Sequence, residues 1–152
     1  EMTRFWITLE HGVDFVIKSF SRMHGGEIFV PKIPSYRVTD VAEAIGPSCK
    51  KQIIGIRPGE KLHEEMITSS DSFSTIDLGS YYSILPMDKK THQLYIKENI
   101  SFKECPKYFS YNSKENTDYL SIEELYGILF SEYKLRLFNL YFSGVNAISV
   151  IT

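Results

Sequence analysis

The feature that most constrains the fold is an alternation over the first seventy residues between short β-branched or aromatic runs and helical patterns. Phe5-Trp6-Ile7 reads as a strand. Thr8 follows as a candidate N-cap, with Glu10 where a helix dipole favours an acid. Val13, Val16, Ile17, Phe20 and Met23 then recur at helical spacing on one face. Gly25-Gly26 closes that helix, and Glu27 to Val30 is a second strand, ended by Pro31 and Pro34. Asp40 and Glu43 have the spacing of a capping box, which predicts a short helix through Val41, Ala44 and Ile45 stopped at Gly46-Pro47. Gln52 to Ile56 is a third strand, and a helix over about 60–67 would carry Leu62 and Met66 inward. Strands that alternate with helices in this way mean an α/β fold.

Residues 68–118 lose that order. Tyrosines and phenylalanines alternate with Ser, Asp and Lys, no helical period survives, and loops with short strands are expected. Ser121-Ile122-Glu123-Glu124 is a capping box, with Leu120 and Leu125 at the positions of a hydrophobic staple. From Leu137 to Thr152 there is no charged residue. That stretch is shorter than the roughly 20 apolar residues of a membrane span, and Asn139, Ser143 and Asn146 interrupt it, so a packed or frayed tail is expected. The organisation expected is residues 1–133 as the working portion and 134–152 as an apolar tail.

Composition excludes several functions for these 152 residues. Seventeen Lys and Arg against nineteen Asp and Glu leave a net charge of −2, without the basic stripe of a nucleic-acid binder. The two cysteines, Cys49 and Cys105, have neither disulfide-framework nor zinc-site spacing, and a reducing cytoplasm is the expectation. The first residues carry no signal-peptide pattern, and Glu1-Met2-Thr3 reads as though the chain begins inside a longer gene. None of the nine glycines forms Gly-x-Gly, so the dinucleotide fingerprint is absent. No tyrosine has a Lys four residues downstream. His63-Glu64-Glu65-Met66-Ile67 begins like a zinc-protease helix but has Ile67 where the second ligand belongs. His11, His24 and His92 read as surface or capping residues.

The segment Arg57-Pro58-Gly59-Glu60-Lys61-Leu62-His63-Glu64 reads differently. An Arg at a strand end, a Pro-Gly turn and the start of a helix make a ready anion site, with phosphate as its natural occupant. Glu60 is an acceptor suited to sugar hydroxyls, so the pattern is phosphate beside ribose. The alternative is a surface Arg paired with Glu60 or Glu64, an interaction worth about 0–1 kcal/mol. Arg4, at the mouth of the first strand, is a second candidate for the same anion, or an ordinary strand-edge charge. Lys32 is held on a stiff turn between Pro31 and Pro34.

Three segments occur in order: Thr3-Arg4-Phe5-Trp6-Ile7-Thr8-Leu9-Glu10, Gly25-Gly26-Glu27-Ile28-Phe29-Val30-Pro31-Lys32-Ile33-Pro34-Ser35 and Gly55-Ile56-Arg57-Pro58-Gly59-Glu60-Lys61-Leu62-His63-Glu64. Together they closely resemble the C-terminal portion of inverting UDP-N-acetylglucosamine 4,6-dehydratases, which are extended short-chain dehydrogenase/reductase enzymes of the pseudaminic acid pathway. The resemblance is strong over residues 2–70 and weaker to Glu123-Glu124-Leu125, and it ends near Lys134. It implies the C-terminal sheet strands of a Rossmann-like fold plus the smaller substrate-binding lobe. It further implies that Arg57 binds the UDP diphosphate, Glu60 the ribose hydroxyls, and Arg4 the diphosphate a second time.

In that family NADP accepts hydride from C4 of the sugar, water leaves across C5 and C6, and hydride returns to C6 with inversion at C5. The cofactor loop and the catalytic Tyr, Lys and Asp belong to the family's N-terminal half. No catalytic or cofactor residue is therefore expected here, and this chain alone is expected neither to bind NADP nor to turn over. The expected partners are UDP-N-acetylglucosamine, the N-terminal half and further copies in a homo-oligomer, with no nucleic acid and no membrane. Three alternatives stand beside this reading: a non-catalytic UDP-sugar-binding remnant, an oligomerising fragment, and part of a related UDP-sugar epimerase or retaining dehydratase.

Overall fold

The computed structural model describes residues 1–131 and the backbone of 147–150. In chain order the elements are β1 (Thr3–Phe5), α1 (Leu9–Arg22), β2 (Ile28–Pro31), β3 (Ser35–Arg37), α2 (Val38–Ile45), β4 (Lys50–Ile53) and β5 (Glu65–Ile67). A 3-10 turn at Asp71–Ser74 leads to β6 (Thr75–Asp77), β7 (Tyr81–Ile84), α3 (Lys89–Lys97), β8 (Lys103–Glu104), β9 (Tyr111–Asn112), α4 (Ile122–Leu129) and β10 (Ala147–Val150). The chain forms two compact units and passes between them four times. One unit holds Glu1–Trp6, Pro34–Glu64 and Ser113–Thr152, and the other holds Ile7–Ile33 and Glu65–Asn112.

In the first unit β1 pairs antiparallel with β3, placing Arg4 opposite Tyr36. Trp6 N–H extends this pairing to Pro34 O at 2.8 Å. β4 pairs parallel with β10. Helix α2 packs on α4, with Ala42, Ala44 and Leu125 buried. The Ser121–Glu124 capping box is present in full, each side chain bonding the other's main-chain N–H. Ser35, fully buried, satisfies its backbone by accepting from Leu120 N–H and donating to Asp118 O, both at 2.8 Å.

In the second unit β2, β7, β6 and β8 form an antiparallel sheet in that order. Ile76, Leu85 and Tyr95 make its core, with Leu78, Ile100 and Phe102 packed around them. β5 and β9 form a separate antiparallel pair. Thr8 caps α1 as expected, accepting from His11 N–H at 3.2 Å. After α1 the chain turns at Gly25 and Gly26, both at positive φ, a conformation that glycine adopts without a side-chain clash. The Glu27 carboxylate receives His24 and Gly25 N–H at 2.8 and 2.6 Å and so holds that turn. No residue of α1 is buried. Leu9, Val13, Val16, Ile17, Phe20 and Met23 are all exposed, Phe20 by 71%.

Several local expectations are corrected. The first and third strands lie at Thr3–Phe5 and Lys50–Ile53, each two or three residues earlier than expected. α2 starts at Val38, because Val38 N–H donates to Met2 O at 3.0 Å. Arg37 is its N-cap and makes no side-chain capping bond. Asp40 lies inside the first turn, taking hydrogen bonds from Arg37 and Thr39 at 3.4 Å, so the Asp40–Glu43 capping box does not form. α3 occupies a stretch that carries no helical period and is expected as loop. Its start is set by the Asp88 carboxylate, which accepts from Lys90 and Thr91 N–H.

The expected helix over 60–67 is absent; a turn and β5 stand in its place. Leu62 O accepts from Thr3 N–H at 3.1 Å, and Glu64 O accepts from Ser113 N–H at 2.8 Å. Glu64 N–H donates to Ser113 Oγ at 2.9 Å. The backbone groups a helix would use are already committed to distant partners, and tertiary pairing overrides local propensity. Of the apolar tail expected at 134–152, only 147–150 fall among the described residues, where they form β10.

Candidate functional site

The segment singled out in the sequence is a tight turn in the first unit. Glu60 N–H bonds Arg57 O at 3.1 Å. Gly59 has φ +82°, a value disfavoured for any residue with a Cβ. The Glu60 carboxylate folds back to accept from Arg57 N–H at 3.3 Å. Arg57 itself is exposed, and its guanidinium has no ion-pair partner among the described residues. With no helix after the turn there is no helix N-terminus, and the helix-end contribution expected for the anion site is absent.

Arg4 lies beside this turn. Its Nη1 donates to Thr3 O at 2.7 Å and Leu62 O at 3.3 Å. Its other edge faces two carboxylates, with Nη2 3.5 Å from Glu60 and Nε 3.4 Å from Glu64. Both distances exceed the roughly 2.8 Å of a charge-assisted hydrogen bond. The structure thus brings Arg4 and Glu60 together, with Arg57 joined to them through its main chain.

A buried polar chain anchors the group. Ser113 Oγ, which accepts from Glu64 N–H, lies 2.7 Å from Thr3 Oγ1, and Thr3 Oγ1 lies 2.8 Å from His63 Nδ1. Ser113 is fully buried, so its hydroxyl proton needs an acceptor. That requirement runs the chain from Ser113 to Thr3 to His63, and makes Nδ1 an acceptor with the ring proton on Nε2. Burial lowers the His63 pKa, and the positive charges of Lys114 and Arg4 lower it further, against the pull of Glu1. Burial also raises the Tyr36 hydroxyl, against the pull of Arg4.

Lys32 belongs to the second unit. Its Nζ is 2.6 Å from Asp77 and 4.4 Å from the Tyr82 ring centroid, so its charge is engaged there. The sequence offers Glu64 as an ion-pair partner for Arg57, and the structure pairs it with Arg4 instead; it gives Thr3, His63 and Ser113 no place in this site. Thr3 and Ser113 are 110 residues apart, and no local pattern links them. Among the described residues no group of three or more His, Cys, Asp or Glu could hold a metal ion. Nor is any helix among them long and apolar enough to cross a membrane.

Residues 1–86 match the family model described as polysaccharide biosynthesis protein. The chain belongs to that family. It is 47% identical over 135 residues to a UDP-N-acetylglucosamine 4,6-dehydratase (inverting) of Campylobacter jejuni, a match covering 84% of this chain and 40% of the relative. A UDP-glucose 4-epimerase of Rickettsia akari is 34% identical over 132 residues, or 84% of this chain and 38% of that one. The X-ray structure of Pen from Bacillus thuringiensis superposes with a TM-score of 0.66 at 26% identity, over 88% of this chain and 40% of Pen. The chain spans about 40% of the length of these relatives. The α/β class expected from the sequence, as part of an extended short-chain dehydrogenase fold, is borne out, and so is the resemblance to the inverting dehydratases.

Proposed function

We propose that this chain is the substrate-binding part of an inverting UDP-N-acetylglucosamine 4,6-dehydratase of nucleotide-sugar and surface-glycan biosynthesis, with pseudaminic acid as the end product and the cytoplasm as its place. In this reading residues 1–133 hold the UDP-sugar, and the remaining apolar stretch lies outside that task. Arg57 binds the diphosphate and Glu60 the ribose hydroxyls. Arg4 supplies the second diphosphate contact once its Nη2 leaves Glu60.

The observation that carries the proposal is an exposed Arg57 one turn from Glu60 and Arg4, in a chain 47–48% identical to two such dehydratases. The identity to epimerases is lower, at 33–35% over similar lengths, which favours dehydratase over epimerase chemistry. NADP does not fit the residues present, since the sequence has no Gly-x-Gly; it belongs to the N-terminal half of the parent enzyme, and without that half the chain is inactive.

Titration of the purified chain with UDP-N-acetylglucosamine tests the reading. Arg57→Ala removes a charge-assisted contact worth about 1.5–3 kcal/mol, which is roughly a ten- to hundredfold loss of affinity. Equal affinity of wild type and variant would overturn the Arg57 assignment.

A second reading, a self-associating fragment, is favoured by the row of exposed apolar side chains on α1. The same row suits packing against the N-terminal half of the parent enzyme or a further copy in a homo-oligomer.

A further inference from the structure

We propose that Glu64 is a positioning residue that aims Arg4 at the diphosphate of the nucleotide sugar; this rests on the reading above of Arg4 as a diphosphate contact. Arg4 has two carboxylate neighbours, and they are held differently. Glu60 sits on the Pro58-Gly59 turn, and its carboxylate is shared between Arg57 N–H and Arg4 Nη2, at 3.3 and 3.5 Å. It is free to exchange these long contacts for ribose hydroxyls.

The Glu64 carboxylate makes a contact of the same length, 3.4 Å from Nε, but the backbone that carries it is anchored. Its N–H goes to Ser113 Oγ and its carbonyl to Ser113 N–H, at 2.9 and 2.8 Å. The same buried Ser113 Oγ grips the side chain of Thr3, the residue before Arg4. One serine therefore sets the spacing between the backbones that carry Arg4 and Glu64.

When nucleotide arrives, Glu60 turns to the ribose and Nη2 is released to a phosphate oxygen. Glu64 stays opposite Nε, and two carbonyls hold Nη1. The guanidinium then keeps one orientation through the exchange, so less side-chain freedom is lost on binding. Without Glu64 the Nε edge loses its facing carboxylate, and the guanidinium plane is free to turn away.

The test compares UDP with uridine, which lacks the phosphates, on the full chain. Wild type is expected to prefer UDP. Glu64→Ala is expected to lower UDP affinity about tenfold and leave uridine affinity unchanged. Glu64→Gln, which keeps an amide oxygen facing Nε but not the charge, is expected to restore part of the loss. Glu64→Asp, which draws the carboxylate back, is expected to fall between Ala and Gln. Glu64→Ala with an unchanged UDP preference, or with equal losses for UDP and uridine, overturns the positioning role while the diphosphate site stands. Wild type with no preference for UDP overturns the diphosphate reading and the positioning role together.

Discussion

Ser113 and Glu64 hold each other by two hydrogen bonds: Ser113 Oγ accepts from Glu64 N–H, and Ser113 N–H donates to Glu64 O. This exchange takes the place of the helix that local sequence favours over 60–67. It also converts an isolated Pro-Gly turn into a fixed support for Arg57, Glu60 and Arg4.

Ser113→Ala removes the hydroxyl and leaves Glu64 N–H and Thr3 Oγ1 without it in a buried site. The expected cost is about 1–3 kcal/mol. A urea unfolding midpoint shifted down with an unchanged slope is the expected result.

His63 has a folded pKa below the ordinary value of about 6.5. The unfolded chain then binds the proton more readily, so stability is complete above pH ~6.5 and is lost as pH falls from there through the folded pKa. Protonation would also place a second donor against Thr3 Oγ1. Urea midpoints measured from pH 7.5 to 5.5 are expected to fall for wild type and to stay flatter for His63→Gln.

Lys32 and Asp77 meet at 2.6 Å, with the ammonium over Tyr82. Burial raises the Asp77 pKa, but the hydrogen bonds from Lys32 and Gly79 N–H together with the charges of Lys32 and Lys103 outweigh it and leave the carboxyl lowered. A double-mutant cycle of Lys32→Ala and Asp77→Asn is expected to give a coupling of about 1 kcal/mol. A coupling near zero would mean that Lys32 is not held by Asp77 in solution.

The apolar row on α1 predicts concentration-dependent association. Phe20→Glu on that row is expected to lower the apparent mass by light scattering without changing the circular dichroism. Leu125, fully buried, is the contrasting position: Leu125→Ala is expected to cost about 2–5 kcal/mol.

Legibility in the sequence followed the range of the interactions. The α1 cap at Thr8 and the Ser121 capping box were readable because donor and acceptor lie within a few residues. α3 was missed because its nine residues offer a weak apolar stripe, Leu94, Tyr95 and Ile96 being consecutive rather than spaced by a turn. The helix expected at 60–67 failed for the opposite reason: propensity was present, and partners at Thr3 and Ser113 outcompeted it. Arg57, Glu60 and Arg4 stand out from the residue pattern itself, and the resemblance supplies the roles expected of them. Their support by Thr3, His63, Glu64 and Ser113 does not stand out, since side chains 49, 60 and 110 residues apart share no local pattern.

Those separations bear on how the protein comes into being. Contacts between residues far apart in sequence form slowly, because the intervening chain must be ordered first. A nascent chain that has emerged only as far as Glu64 has its Arg57 turn but not the serine that fastens it. On the ribosome the turn carrying Arg57 and Glu60 therefore stays unfastened until some fifty further residues have been made.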